Sequence, residues 1–302
     1  MNFLSTITNL IMIILFVRLC AQPDRETFFN PFVSASNSKV NRITDILSPL
    51  LALPERAIIV LLLLFVFLFK SLLVARLGQQ VGVSFGEAFK CVPPPNAAVK
   101  PYLLVFSFLE SISFLLKFWS FHFLTTLIAT PLRSSRASQA LNYYTQPYSK
   151  LPFIFKPFFL VGAHIILAFI ATNLGVLTTN ALQPNQEASL TTAIITSSFP
   201  INIIKTAALG VLAFVQGISV MISALFACII GSLLATFMRR PAVMLFCREG
   251  TDLILGRFAN NRAVQTGLDF TPLIFFIVAN LIYNAVNVFI FTFINMNIEL
   301  PF

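Results

Sequence analysis

The chain reads as an all-α, polytopic transmembrane helical bundle of about six spans, and three observations predict it. Hydrophobic residues fill 57% of the 302 positions and charged residues only 10%, whereas a soluble chain carries about a quarter charged. Mean hydropathy is +0.87, and several unbroken apolar runs reach the roughly 18–20 residues that cross a bilayer. The net charge of +9 comes from basic residues gathered in loops beside those runs. There they set topology and meet anionic lipid, so no nucleic-acid partner is implied.

The first span is expected from about Phe3 to Leu19. A polar loop follows, in which Asn30-Pro31 supplies a helix cap and a first helical position. Val40, Ile43, Leu47 and Leu50 then recur at helical spacing among Lys39, Arg42 and Asp45. That pattern suits a short helix in the headgroup region, or an ordinary loop helix packed on the bundle. The second span runs from about Ala57 to Val74, with Lys70 close enough to its end to snorkel. Residues 76–100, with Pro93-Pro94-Pro95, read as a loop. The third span lies within Tyr102 to Thr130, and a polar loop with Arg133, Arg136, Lys150 and the Tyr143-Tyr144 pair follows it. The fourth span covers about Pro157 to Leu177. A nearly uncharged loop leads to a fifth apolar run, Ala207 to Phe237. At 1.5 Å per residue that run is about 46 Å long, so it must tilt, kink or leave the roughly 30 Å hydrocarbon core. Ala227, Gly231 and Ala235 form a small-residue ridge on it, suited to close helix contact. The sixth span is Pro272 to about Ile294.

The stretch from Arg239 to Tyr283 organises the chain. A charged amphipathic segment up to Arg262 leads through Gly267-Leu268-Asp269-Phe270-Thr271-Pro272 into the last span. Thr271 is placed to cap that helix, Pro272 to open it, Gly267 to turn the backbone, and Asp269 to sit where a helix N-terminus attracts negative charge. Thr251-Asp252-Leu253-Ile254-Leu255, Arg257, and Gly267 to Pro272, in that order, resemble the YggT family of bacterial and plastid membrane proteins. A weaker copy appears as Asn30-Pro31-Phe32-Val33 and Arg42-Ile43-Thr44-Asp45-Ile46-Leu47, without the Gly-x-Asp entry. The resemblance implies two repeats, residues 1–76 and 201–302, flanking an inserted hairpin within 77–200. The first apolar run then belongs to a repeat and reads as a span, not a cleaved signal.

Fourteen Lys and Arg fall in the loops after spans one, three and five, and five on the opposite side. This places both motif segments in the cytoplasm and both termini outside, as a parallel repeat.

Asn30, Pro31, Arg42, Thr44, Asp45, Arg248, Thr251, Asp252, Gly267, Asp269, Thr271 and Pro272 are the candidate partner-binding residues. They form a membrane-surface face for a protein partner or lipid headgroups, or they cap and pin interfacial helices. Glu110 and Lys117 interrupt the third span two turns apart, and Asn280, Asn284 and Asn287 fall on one face of the sixth. These intramembrane polar residues either bond between helices or line a route for an ion or small solute. The two histidines, His122 and His164, are packing residues or, less simply, a haem pair. Four scattered cysteines form no CxxC, and no phosphate loop, nucleophile elbow or catalytic carboxylate pair occurs. No enzyme, cofactor or metal is therefore implied.

The resemblance implies a non-enzymatic scaffold or assembly factor of the bacterial cytoplasmic membrane, open to oligomerisation. Bacterial relatives are linked with division, cell shape and osmotic tolerance, plastid ones with nucleoid distribution and cytochrome maturation. A channel or transporter-like role in ion or osmolyte balance is the alternative.

Overall fold

Without water, a backbone amide must find its partner inside its own segment, so apolar runs of this length fold as helices. The computed structural model describes residues 3–21, 29–76, 81–86, 89–94, 99–128, 135–179, 199–256, 258 and 271–295. Among them are ten α-helices: α1 (Phe3–Cys20), α2 (Pro31–Leu51), α3 (Glu55–Arg76), α4 (Val99–Ile128), α5 (Arg136–Tyr144), α6 (Phe155–Leu174), α7 (Phe199–Val215), α8 (Gly217–Phe237), α9 (Pro241–Leu255) and α10 (Thr271–Asn295). Five stretches are long and apolar enough to cross a membrane: Glu55–Arg76, Pro101–Ile128, Phe155–Leu174, Asn202–Phe237 and Thr271–Ile294. The first expected span, α1, is apolar but shorter than these. The protein is thus a helical bundle with the features of a membrane protein. Inside the protein, 44% of the most apolar stretch of α4 is buried, against 22–28% for the other four, which makes α4 the most enclosed.

The chain divides into two compact units. The first comprises Met1–Phe67, Phe121–Pro152 and Ile218–Ala279, the second Leu68–Ser120, Phe153–Gly217 and Asn280–Phe302.

In the first unit, Leu15, Val40 and Ile59 join α1, α2 and α3 in one apolar cluster. At its edge Arg18 donates to Glu55 at 2.8 Å and to Asn41 at 3.1 Å. Asn30 caps α2, accepting from the Phe32 and Val33 amides, with Pro31 in the first turn as its fixed φ favours. The helix stops at Ala52, whose φ of +52° carries its N–H back to the Ser48 carbonyl.

The overlong fifth span is broken: α7 ends at Val215, and α8 begins after Gln216, where a glycine follows. At its far end α8 closes on a Schellman turn. Arg239, at φ +53°, donates to Thr236 O, and Arg240 donates to Ala235 O. α9 then returns antiparallel along α8. A β-carbon on Gly231 would lie 2.9 Å from Cys247 Sγ, and one on Gly250 would lie 2.8 Å from Cys228 Sγ. Small residues and thiols interdigitate there, and the expected ridge meets α9.

The second unit corrects the loop expected over residues 76–100. Val83–Phe85 (β1) and Phe89–Val92 (β2) form an antiparallel hairpin, and Val176–Thr179 (β3) adds a third strand in the order β1-β2-β3. Val81, Val83, Phe85, Phe89 and Cys91 are buried. Cys91 Sγ donates to the Ala171 carbonyl at 3.0 Å, and burial pushes its thiol up to about 12. Gly86 turns the hairpin at φ +67°, with its Cα packed against Asn287 and Leu212.

Gly86→Ala meets both a left-handed backbone and a β-carbon 2.5 Å from Asn287 Oδ1. It is expected to destabilise by about 2–4 kcal/mol. Gly162→Ala, on α6 with nothing within 4 Å of the new carbon, is expected to stabilise by roughly 0.5–1 kcal/mol. Thermal unfolding of the two variants in detergent checks the opposite signs.

Candidate functional site

Nine residues, Arg136–Tyr144, bring together the two segments that the sequence singled out. α5 is amphipathic: Ala137, Ala140 and Tyr143 are its buried face. Ser135 caps it by accepting from the Ser138 amide at 3.1 Å. The next open donor, the Ala137 amide, is taken by Glu249 Oε2 of α9 at 3.2 Å, where the helix dipole favours a carboxylate.

α2 binds the opposite flank of α5. Asn30, besides capping α2, donates from Nδ2 to the Arg136 carbonyl at 2.7 Å. Tyr143 donates to Asn37 Oδ1 at 3.1 Å, and Tyr144 shares a 2.5 Å hydrogen bond with Ser36 and donates to the Phe32 carbonyl. Burial pushes both phenols up, so these hydroxyls remain protonated donors. Phe32 also stacks on Phe246 of α9, with ring centroids 3.7 Å apart. Segments some 200 residues apart in sequence thus form one triad of α2, α5 and α9.

The predicted residues divide by role. Asn30 and Pro31 build the start of α2. Thr44 is buried and back-bonded to Asn41 O, while Arg42 and Asp45 are exposed. Thr251 is back-bonded to Cys247 O. With Arg248 and Asp252 it lines an open groove of about 350 Å³, walled by Ile229, Ser232 and Leu233 of α8. Thr271 and Pro272 open the described part of α10. Gly267 and Asp269 lie outside the described residues. The sequence reading passed over Ser36, Asn37, Tyr143, Tyr144 and Glu249; the Tyr-Tyr pair was their one visible signal.

The second unit holds the intramembrane polar groups Glu110 and Lys117. Glu110 lies 3.5 Å from Lys70 of α3, and Lys70 also donates to Ser111 Oγ at 2.9 Å. Lys70, 1% exposed, therefore does not snorkel; a carboxylate on the neighbouring helix offsets its desolvation. Lys117 reaches the hairpin, donating to Ser84 O at 2.7 Å and Ser84 Oγ at 2.9 Å. Of the three asparagines of α10, Asn284 is exposed, Asn280 half-buried and Asn287 buried. Asn287 donates to Tyr283 O, and Gln216 donates to Gly86 O at 3.1 Å.

Each histidine is bonded within its own unit. His122 Nε2 meets Asn142 Oδ1 at 2.8 Å and its ring lies edge-on to Tyr148. His164 Nδ1 donates to Leu160 O at 2.8 Å. Among the described residues no group of three His, Cys, Asp or Glu is arranged to hold a metal ion. Comparison with protein-family models, with curated proteins and with solved structures gives no match.

A double-mutant cycle of Lys70→Met and Glu110→Gln tests the buried pair. Coupling above about 1 kcal/mol is expected, larger than exposed ion pairs give, with the double variant recovering part of the loss from Lys70→Met alone. Thermal or denaturant unfolding of the four proteins measures it.

Proposed function

We propose that this protein is a non-enzymatic membrane scaffold or assembly factor of the YggT type, recruiting a protein partner at the cytoplasmic face of the bacterial inner membrane. The observation that carries the reading is the α2–α5–α9 triad. Its inward polar groups are bonded across helices, which leaves a stiff surface with little ordering cost on binding. That surface is both basic and apolar. Arg42, Asp45, Ile43 and Ile46 of α2 are exposed, as are Arg239, Arg240 and Arg248 at and beside α9. This mixture suits a segment lying beside anionic headgroups while presenting charges to another protein.

Photo-crosslinking amino acids placed at Arg42 and Asp45 in living cells test this. A discrete protein adduct is expected at both positions, and lipid adducts alone at Phe65, on the exposed apolar side of α3. Lipid adducts alone at 42 and 45 too would end the scaffold reading.

The second reading, a channel or transporter-like role, is favoured by the hairpin turn at Gly86, held by Gln216 and packed on Asn287, with Lys117 bonded to Ser84 beside it. Non-helical backbone among spanning helices occurs where it is enclosed by protein or lines a hydrated cavity. On the scaffold reading, reconstituted vesicles show no saturable potassium or osmolyte uptake above empty ones. A saturable flux that disappears in Asn287→Leu would instead establish transport.

A further inference from the structure

Lys117 lies well inside α4, and its side chain is enclosed by protein, 7% exposed. A charge at that depth has given up its water and needs a replacement for it. Two of its N–H groups have one, donating to Ser84 O at 2.7 Å and to Ser84 Oγ at 2.9 Å. An ammonium carries three donors, so one remains to give. Both acceptors are neutral, and among the described residues no carboxylate touches this ammonium. Glu110 attracts it through space, but Glu110 is already in contact with Lys70 at 3.5 Å. Lys90 acts on that same carboxylate, so Lys70, Lys90 and Lys117 all bear on it.

The hydroxyls beside Lys117 are donors as well. Ser84 Oγ accepts from the ammonium, which leaves its own O–H to donate. Ser113 is one turn before Lys117 on the same face of α4, with the two β-carbons about 5–6 Å apart. Helical side chains lean towards the N-terminal turn, which carries the ammonium over Ser113. Ser113 is 2% exposed, and its Oγ has no hydrogen-bond partner in the protein. Lys90 stands directly across from Ser84 in the β1–β2 pairing, on the same face of the sheet, and adds positive charge beside the cluster. His164 is not one of the donors: its Nδ1 donates to Leu160 O, which makes Nε2 an acceptor.

The cluster is therefore one ammonium and two hydroxyls, each with a hydrogen to give. Single-point donors with one formal charge suit a small, spherical, monovalent anion. Planar carboxylates and tetrahedral phosphates are met best by a guanidinium fork, which these three residues lack. A dianion would also leave one of its charges buried without compensation.

We infer that Lys117, Ser84 and Ser113 hold a halide-type monovalent anion inside the second unit, with Lys117 as its counter-charge. Binding does not require flux, so the inference rests on neither functional reading, and vesicle uptake reports on transport separately.

The test uses the full-length protein in mild detergent, with chloride or bromide replacing gluconate at constant ionic strength. Thermal unfolding follows the titration, since a ligand of the folded state raises Tm with its concentration. A saturable rise is expected with both halides. Lys117→Met is expected to abolish it. Ser113→Ala, which removes a hydroxyl that bonds nothing else in the protein, is expected to raise the chloride midpoint about tenfold, through loss of one hydrogen bond to a charged ligand. Added sulfate is expected to leave the wild-type chloride midpoint unchanged. The absence of a saturable rise in the wild type would overturn the site, as would a rise persisting in Lys117→Met or sulfate competing as well as bromide. Should Lys117→Met fail to fold, Ser113→Ala decides, and an unchanged midpoint there ends the proposal.

Discussion

A polar group taken from water into an apolar interior costs several kcal/mol unless a partner waits for it. That constraint runs through both units. It makes the long apolar runs helical, and it gives Lys70 a carboxylate and a hydroxyl on the neighbouring helix. It also explains how a β-hairpin persists beside spanning helices. β1 bonds to β2, β2 to β3, and the turn finds side-chain donors in Gln216 and, two residues earlier, Lys117.

The triad in the first unit obeys the same constraint at helix ends. α5 is too short to be stable by itself, and its first-turn amides need acceptors. Ser135 provides one from its own chain and Glu249 another from α9. Asn30 is used twice, its oxygen capping α2 and its nitrogen bonding the Arg136 carbonyl. The start of α5 is thus completed partly by a neighbour, α9. This local chemistry, more than apolar burial, locates the surface assigned to partner binding.

Local signals were readable where they act over one helical turn. The Asn30-Pro31 start of α2 is such a case, as is the small-residue ridge on α8 that meets Cys247. The length of the fifth apolar run required some departure from a straight span, and the break at Gln216 supplies it. The hairpin was missed although Val81, Val83 and Phe85 alternate as a half-buried strand does. The prolines at 93–95 and the shortness of the strands outweighed that period. The asparagines of α10 were grouped by spacing alone, which fixes angles around one helix and not the direction in which its neighbours lie. Asn284 consequently falls outside the buried face that holds Asn287.

By itself the sequence determined that the chain is a helical membrane protein, because apolar length and scarce charge leave no other way to satisfy the backbone. It also determined which segments carry charge next to those spans. Only the tertiary structure decided who pairs with whom: Glu110 with Lys70, Lys117 with the hairpin, and α2 and α9 with α5. Such pairings depend on which side chains from distant segments arrive at the same depth and facing each other. No local spacing encodes that.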